Sequence, residues 1–162
     1  MKITALEEYG LRCLLRVAEQ DDDEALSAAD IAEQEGLSLS YTQKIMRVLS
    51  KGELVESRRG VRGGYTLADE PAQITVGDAI RVLGGIFEVE DICERHTGEF
   101  DQCANRCNCA IRPVWAHISR FVVETLDGID MQMLMDDQKS VAQHLQEQIP
   151  GPARQAPPSR SH

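Results

Sequence analysis

Four of the chain's five cysteines, Cys93, Cys103, Cys107 and Cys109, fall in one short stretch, CERHTGEFDQCANRCNCAIRPVW. Thiols gathered this closely hold metals, form disulfides or react with oxidants. An odd total of five argues against a closed disulfide framework. Cys93, Cys103 and Cys109 are spaced C-x9-C-x5-C, without the C-x2-C knuckles of most zinc sites. Donors spread along a polar loop suit an iron–sulfur cluster, whose several irons draw ligands from a wide arc. On spacing alone, zinc and iron–sulfur stand level. Cys13 is different: it falls on the apolar face of an expected helix and reads as a small core residue.

A second chemistry lies in the cations. The chain carries a net charge of −10, yet Ser38 to Gly64 holds six basic residues (Lys44, Arg47, Lys51, Arg58, Arg59, Arg62) against Glu53 and Glu56. One basic island on an acidic body suits contact with a polyanion through a single surface. Local cations displace counterions from phosphate whatever the charge elsewhere.

These groups need elements to position them. At 162 residues and 42% hydrophobic, the chain can build one compact core with an appendage. Leu6, Tyr9, Cys13, Leu14 and Val17 recur at helical spacing. Two short helices follow, about Ala28 to Glu35 with Gly36 at its left-handed close, then one opened by a Ser40-x-x-Gln43 capping box and ended by Gly52. Leu54-Val55 and Tyr65-Thr66-Leu67 flank a turn rich in Gly and Arg, which predicts a β-hairpin. ITVGDAIRVLGG predicts a helix capped by Thr75 with Asp78 at its third position. From Ile111 to Leu126, Val114, Trp115, Ile118, Phe121, Val122 and Thr125 trace a long amphipathic helix. A weaker helix is expected between Asp130 and Ile149, and the Pro-rich end reads as disordered.

Helix, turn, helix and basic hairpin in that order define a winged helix-turn-helix. The expected fold is mainly α with a small β-hairpin wing and a long C-terminal helix, to which the family resemblance given below assigns dimerisation. Its expected divisions are a DNA-binding domain at 1–85, a cysteine loop at 86–110, a helical region at 111–149 that the same resemblance makes the dimerisation region, and a tail at 150–162. Ser38, Ser40, Thr42, Gln43, Lys44 and Arg47 are the residues expected to reach base edges and phosphates from the second helix. Arg58, Arg59 and Arg62, beside Gly63 and Gly64, are expected to enter the minor groove. No apolar run reaches the ~20 residues that cross a bilayer, and the first segment, MKITALEEYGLRCLL, is unlike a signal peptide. The expectation is a cytoplasmic protein. No paired carboxylates, nucleophile–base arrangement or phosphate loop points to an enzyme.

Residues 1 to about 135 resemble the IscR/NsrR/RirA family of winged-helix transcription regulators. The resemblance is carried by MKITALEEYGLRCLL, by the run from Ile31 to Leu67, by ITVGDAIRVL and by the loop entering CAIRPVW. It implies a homodimer on a double-stranded DNA operator, with affinity set by an iron–sulfur cluster, [2Fe-2S] in preference to [4Fe-4S], that senses redox state, nitric oxide or iron supply. Members place a first cysteine after the helix matching VGDAIRVL, where Cys93 stands. A C-x5-C pair follows, six residues ahead of a tryptophan, as Cys103 and Cys109 precede Trp115. Where some members have a histidine ligand this chain has Arg112, which offers no lone pair. Other members use an acid of the partner's first helix, the place of Glu8. The C-x9-C gap is longer than the family's, and Cys107 is an alternative fourth ligand, with His96 a further candidate. A zinc-bound or metal-free thiol switch is the alternative reading of the same loop.

Overall fold

The computed structural model describes residues 3–20, 24–60, 63–85, 94–105 and 108–148. Arg62, Cys93, Cys107 and the tail expected at 150–162 lie outside the described residues. The elements are α1 (Ala5–Ala18), α2 (Ala28–Glu35), α3 (Leu39–Lys51), β1 (Val55–Arg58), β2 (Gly64–Leu67), a 3-10 turn (Pro71–Gln73), α4 (Val76–Leu83), α5 (Arg112–Asp127), α6 (Met131–Leu134) and α7 (Gln138–Gln148). The fold is mainly α with a β-hairpin wing, as expected.

Local chemistry sets the helix ends. Thr4 and Glu7 form a reciprocal capping box on α1, and Thr75 and Asp78 do the same on α4. Gly36 closes α2 at φ 66°, a conformation that costs glycine no Cβ clash. At α3 the expected cap is corrected: Ser38, not Ser40, accepts from the Tyr41 amide, at 3.3 Å. A cap needs extended backbone, which Ser38 has at φ −71° and ψ 142°. Ser40 already lies inside the first turn, so Gln43 is no capping partner and its amide is left for other contacts.

The strands pair antiparallel, with Val55 opposite Leu67, Ser57 opposite Tyr65 and Arg58 opposite Gly64. Leu26 and Tyr65 exchange two backbone hydrogen bonds, at 3.0 and 2.9 Å, so the chain ahead of α2 adds a single antiparallel bridge along the outer edge of β2. A Cβ on Gly64 would stand 2.6 Å from the Leu26 backbone, which is why this position has no side chain.

The core joins Leu14, Ile31, Ile45, Met46, Leu49 and Val55, all fully buried. It also draws on Ile129 and Met131, beyond the 1–85 segment that the sequence assigns to the DNA-binding domain. Val76 donates to the Ile129 carbonyl (2.7 Å) and Met131 to that of Ile74 (2.9 Å), stitching the chain after α5 to the start of α4. Arg81 forks onto both Asp127 oxygens, at 2.7 and 2.6 Å. A Cβ on Gly77 would meet Asp127 Oδ1 at 1.8 Å, so the bare glycine makes room for that carboxylate. These bonds fix the C-terminal end of α5. No residue of α5 is buried.

Candidate nucleic-acid interface and cysteine loop

The α2–α3 unit is held from behind by α1. Arg12 Nε (2.5 Å) and Arg16 Nε (2.6 Å) donate to the two oxygens of Glu35, whose side chain is almost fully buried. Burial would raise this carboxyl, but the hydrogen bonds and charges of Arg16 and Arg12 outweigh it and hold the group below the usual carboxylate range. Arg12 also lies over the Tyr9 ring, 5.5 Å from its centre, and Tyr9 meets Tyr41 of α3 edge-on. This clamp fixes the attitude of the two helices. It was missed at the sequence level, although Arg12 and Arg16, four residues apart, mark one charged edge of α1.

On the opposite face, Ser38, Ser40, Gln43, Lys44 and Arg47 are exposed along α3. Thr42 is not among them. It is fully buried, and its Oγ1 has no hydrogen-bond partner among the described residues. The helix turns it inward beside Ile45, Met46 and Leu49, so its expected place on the DNA-facing side is corrected.

Arg58 and Arg59 are exposed on the wing; Arg58 lies on the face of the hairpin away from Ser57 and Tyr65, in a separate recess with Gln20, Glu24, Asp69 and Glu70. Gly63 and Gly64 have intramolecular reasons to be glycine, since a Cβ on Gly63 would lie 2.7 Å from the Arg58 carbonyl. Between α3 and the hairpin is an open recess of about 590 Å³ lined by Gln43, Arg47, Ser50, Lys51, Ser57 and Tyr65. Within this recess helix and wing together present two cations and three hydroxyls.

The cysteines separate into two kinds. Cys13 is completely buried, and its thiol is pushed up to about 11 by burial and by the Glu35 charge, against a smaller opposing effect of Arg12. Such a thiol is inert. Cys103 and Cys109 are half-buried free thiols in the loop that runs into α5. His96 is exposed in the same loop. Among the described residues no three His, Cys, Asp or Glu side chains are gathered for a metal, but Cys93 and Cys107 lie outside them. The two acids near the start of α1 are not equivalent. Glu7 accepts from the Thr4 amide at 2.6 Å and packs against Gly84, whereas Glu8 is exposed with no side-chain partner among the described residues.

Along α5, Val114, Trp115, Ile118 and Phe121 form an uncovered apolar stripe, with Phe121 46% exposed. The helix itself spans Arg112 to Asp127, one residue later at each end than expected.

A basic helix, a paired wing and an amphipathic helix with an exposed apolar stripe define a winged-helix DNA-binding protein. A family model described as Rrf2, iron-dependent transcriptional regulator, matches residues 3–137. The chain is 32% identical over 137 residues to the rrf2 protein of Nitratidesulfovibrio vulgaris, covering 85% of this chain and 89% of that one. It is similar to the structure of IscR from T. potens, at 33% identity and a TM-score of 0.66, covering 86% of this chain and 90% of the other. It is also similar to that of CymR, the global cysteine regulator of B. subtilis, at 33% identity and a TM-score of 0.65, covering 83% and 96%. The chain belongs to the Rrf2 family of transcriptional regulators. Among the described residues no helix is long and apolar enough to cross a membrane.

Proposed function

We propose that the protein is a cytoplasmic, homodimeric transcription regulator whose affinity for a double-stranded operator is set by an iron–sulfur cluster held in the cysteine loop. The observation that carries this reading is where the thiols stand. Cys103 and Cys109 are free and half-buried immediately ahead of α5, and the far end of α5 is tied to α4 by Arg81 and Asp127. A change at the loop therefore has a direct mechanical route into the DNA-binding head.

The donor set fits such a group. Thiolates are the usual ligands of iron–sulfur clusters, and these two are accessible where Cys13 is sealed. Cys93, Cys103 and Cys109 are the proposed protein ligands, and Arg112 cannot serve as a fourth. Glu8 is the proposed fourth ligand, reaching the partner protomer's loop, with Cys107 the alternative; the sequestration of Glu7 leaves Glu8 the available acid. When bound, the cluster supplies chemistry that responds to electrons, nitric oxide or iron supply. The apolar stripe on α5 is the proposed contact between protomers.

The test is to purify the protein without oxygen, assay iron and sulfide, and record its visible spectrum. Coloured protein with iron and sulfide in equal amounts is expected, with absorption lost in Cys103→Ala and Cys109→Ala and kept in Cys13→Ala. DNA affinity should differ between loaded and stripped protein. A second reading draws on the same free thiols and on the similarity to CymR: a thiol switch, zinc-bound or metal-free. Colourless protein with stoichiometric zinc, or with no metal and a DNA affinity that follows oxidant, decides for it.

A further inference from the structure

We infer that the recess between α3 and the wing is a seat for one backbone phosphate of duplex DNA, with the Tyr65 hydroxyl as a positioning donor. This rests on the DNA-binding reading and adds a site to it. Ser57 and Tyr65 stand directly opposite each other across the hairpin, so their side chains share one face of it. Gln43, Arg47 and Ser50 recur at helical spacing on α3, and the two sets line the same recess with Lys51.

The chemistry of this lining is one-sided. It contains two cations, three hydroxyls and an amide, and no carboxylate. Neither Arg47 nor Lys51 has an ion pair among the described residues, while Arg12, Arg16 and Arg81 are all matched to acids. Unmatched cations beside hydroxyl donors attract a phosphate oxygen: the cations supply charge and the hydroxyls fix its place. The ring of Tyr65 packs against the core and its backbone is bonded to Leu26, so its hydroxyl is held without loss of side-chain freedom on binding. Such contacts set the register of the helix in the groove and carry no sequence information.

The test uses the full-length protein, one duplex selected from a random library by the wild type, and one unselected duplex. Tyr65→Phe, which keeps the packed ring, should weaken both duplexes by the same factor, roughly ten- to a hundredfold for a lost hydrogen bond to a charged group. Lys51→Gln should lower the slope of log affinity against log salt by about 0.9 for each recess engaged. Wild-type affinity in Tyr65→Phe together with an unchanged slope in Lys51→Gln overturns the recess while leaving DNA binding standing. A loss confined to the selected duplex also overturns it, because the contact would then be to a base. If Tyr65→Phe loses binding of inorganic phosphate, at matched ionic strength, but keeps both duplexes, the seat is for free phosphate and the inference fails. Absence of duplex binding by the wild type removes the functional reading itself.

Discussion

The winged-helix head and the loop–α5 half differ in how their apolar and charged groups are satisfied. In the head, Leu14, Ile31, Ile45, Met46 and Leu49 are sealed in one core, and buried Glu35 is bonded by two arginines, of which Arg16 also reaches Glu19. In α5 no residue is buried, and Trp115, Ile118 and Phe121 face outward together. Apolar area removed from water stabilises by about 25 cal/mol per Å², so the head is stabilised within one chain. The stripe on α5 gains the same stabilisation only when something covers it. Half of the molecule is thus a finished domain, and half carries an apolar face that this chain does not itself cover.

That contrast is most severely tested at the head's centre. Leu49→Ala should cost roughly 2–5 kcal/mol of unfolding free energy, through lost transfer energy and the cavity left behind, measured by urea denaturation. A cost below 1 kcal/mol would mean that the head is not close-packed.

The thiols divide in the same way. At neutral pH the Cys13 thiolate population lies about a hundredfold below that of an ordinary cysteine, and burial slows attack further. Iodoacetamide on metal-free protein should therefore label Cys103 and Cys109 readily, and Cys13 only with global unfolding, as read by peptide mass spectrometry.

A smaller effect is expected at the clamp. Glu35→Gln should destabilise the head by roughly 1–3 kcal/mol at pH 7, because two arginines lose their charged partner. The folded Glu35 carboxyl titrates below its unfolded value, so acid protonates the unfolded chain first. Its contribution is complete above about pH 5 and is lost as pH falls through the folded value. The wild-type-minus-Glu35→Gln difference in stability should shrink along that course.

The smallest change in unfolding free energy belongs to Phe121→Ala, within about 0.5 kcal/mol for a surface position of one chain. Sedimentation should nevertheless show weakened self-association. Equal association in wild type and variant would detach the stripe from assembly.

What was legible in the sequence follows the range of the forces involved. Gly36, the Thr75–Asp78 box, the hairpin and the α5 stripe are written in residues a few positions apart, and each stands where the sequence places it. Ser38 and Ser40 are chemically equal caps, and only the path out of Gly36 chooses between them. Thr42 turns inward by the helix's angular phase, which its polarity does not reveal. The Arg12–Glu35–Arg16 clamp and the Leu26–Tyr65 bridge join segments far apart in the chain; local pattern shows the Arg12 and Arg16 edge but neither its acid nor the bridge. Of the cysteine loop, the sequence supplies donors and spacing, while Cys93 and Cys107 fall outside the described residues.

The joint at the end of α5 also bears on how such a molecule can be recombined. Asp127 enters the space that a side chain on Gly77 would fill and is gripped there by Arg81, while Ile129 and Met131 complete the core of a domain that begins more than a hundred residues earlier. A chimaera that joins this head to a different C-terminal half by cutting after α4 would leave Arg81 with Asp78 alone and the core without Met131. The transplantable unit is therefore discontinuous, residues 3–85 together with 127–134, and the cysteine loop with α5 is an insertion between two pieces of the head.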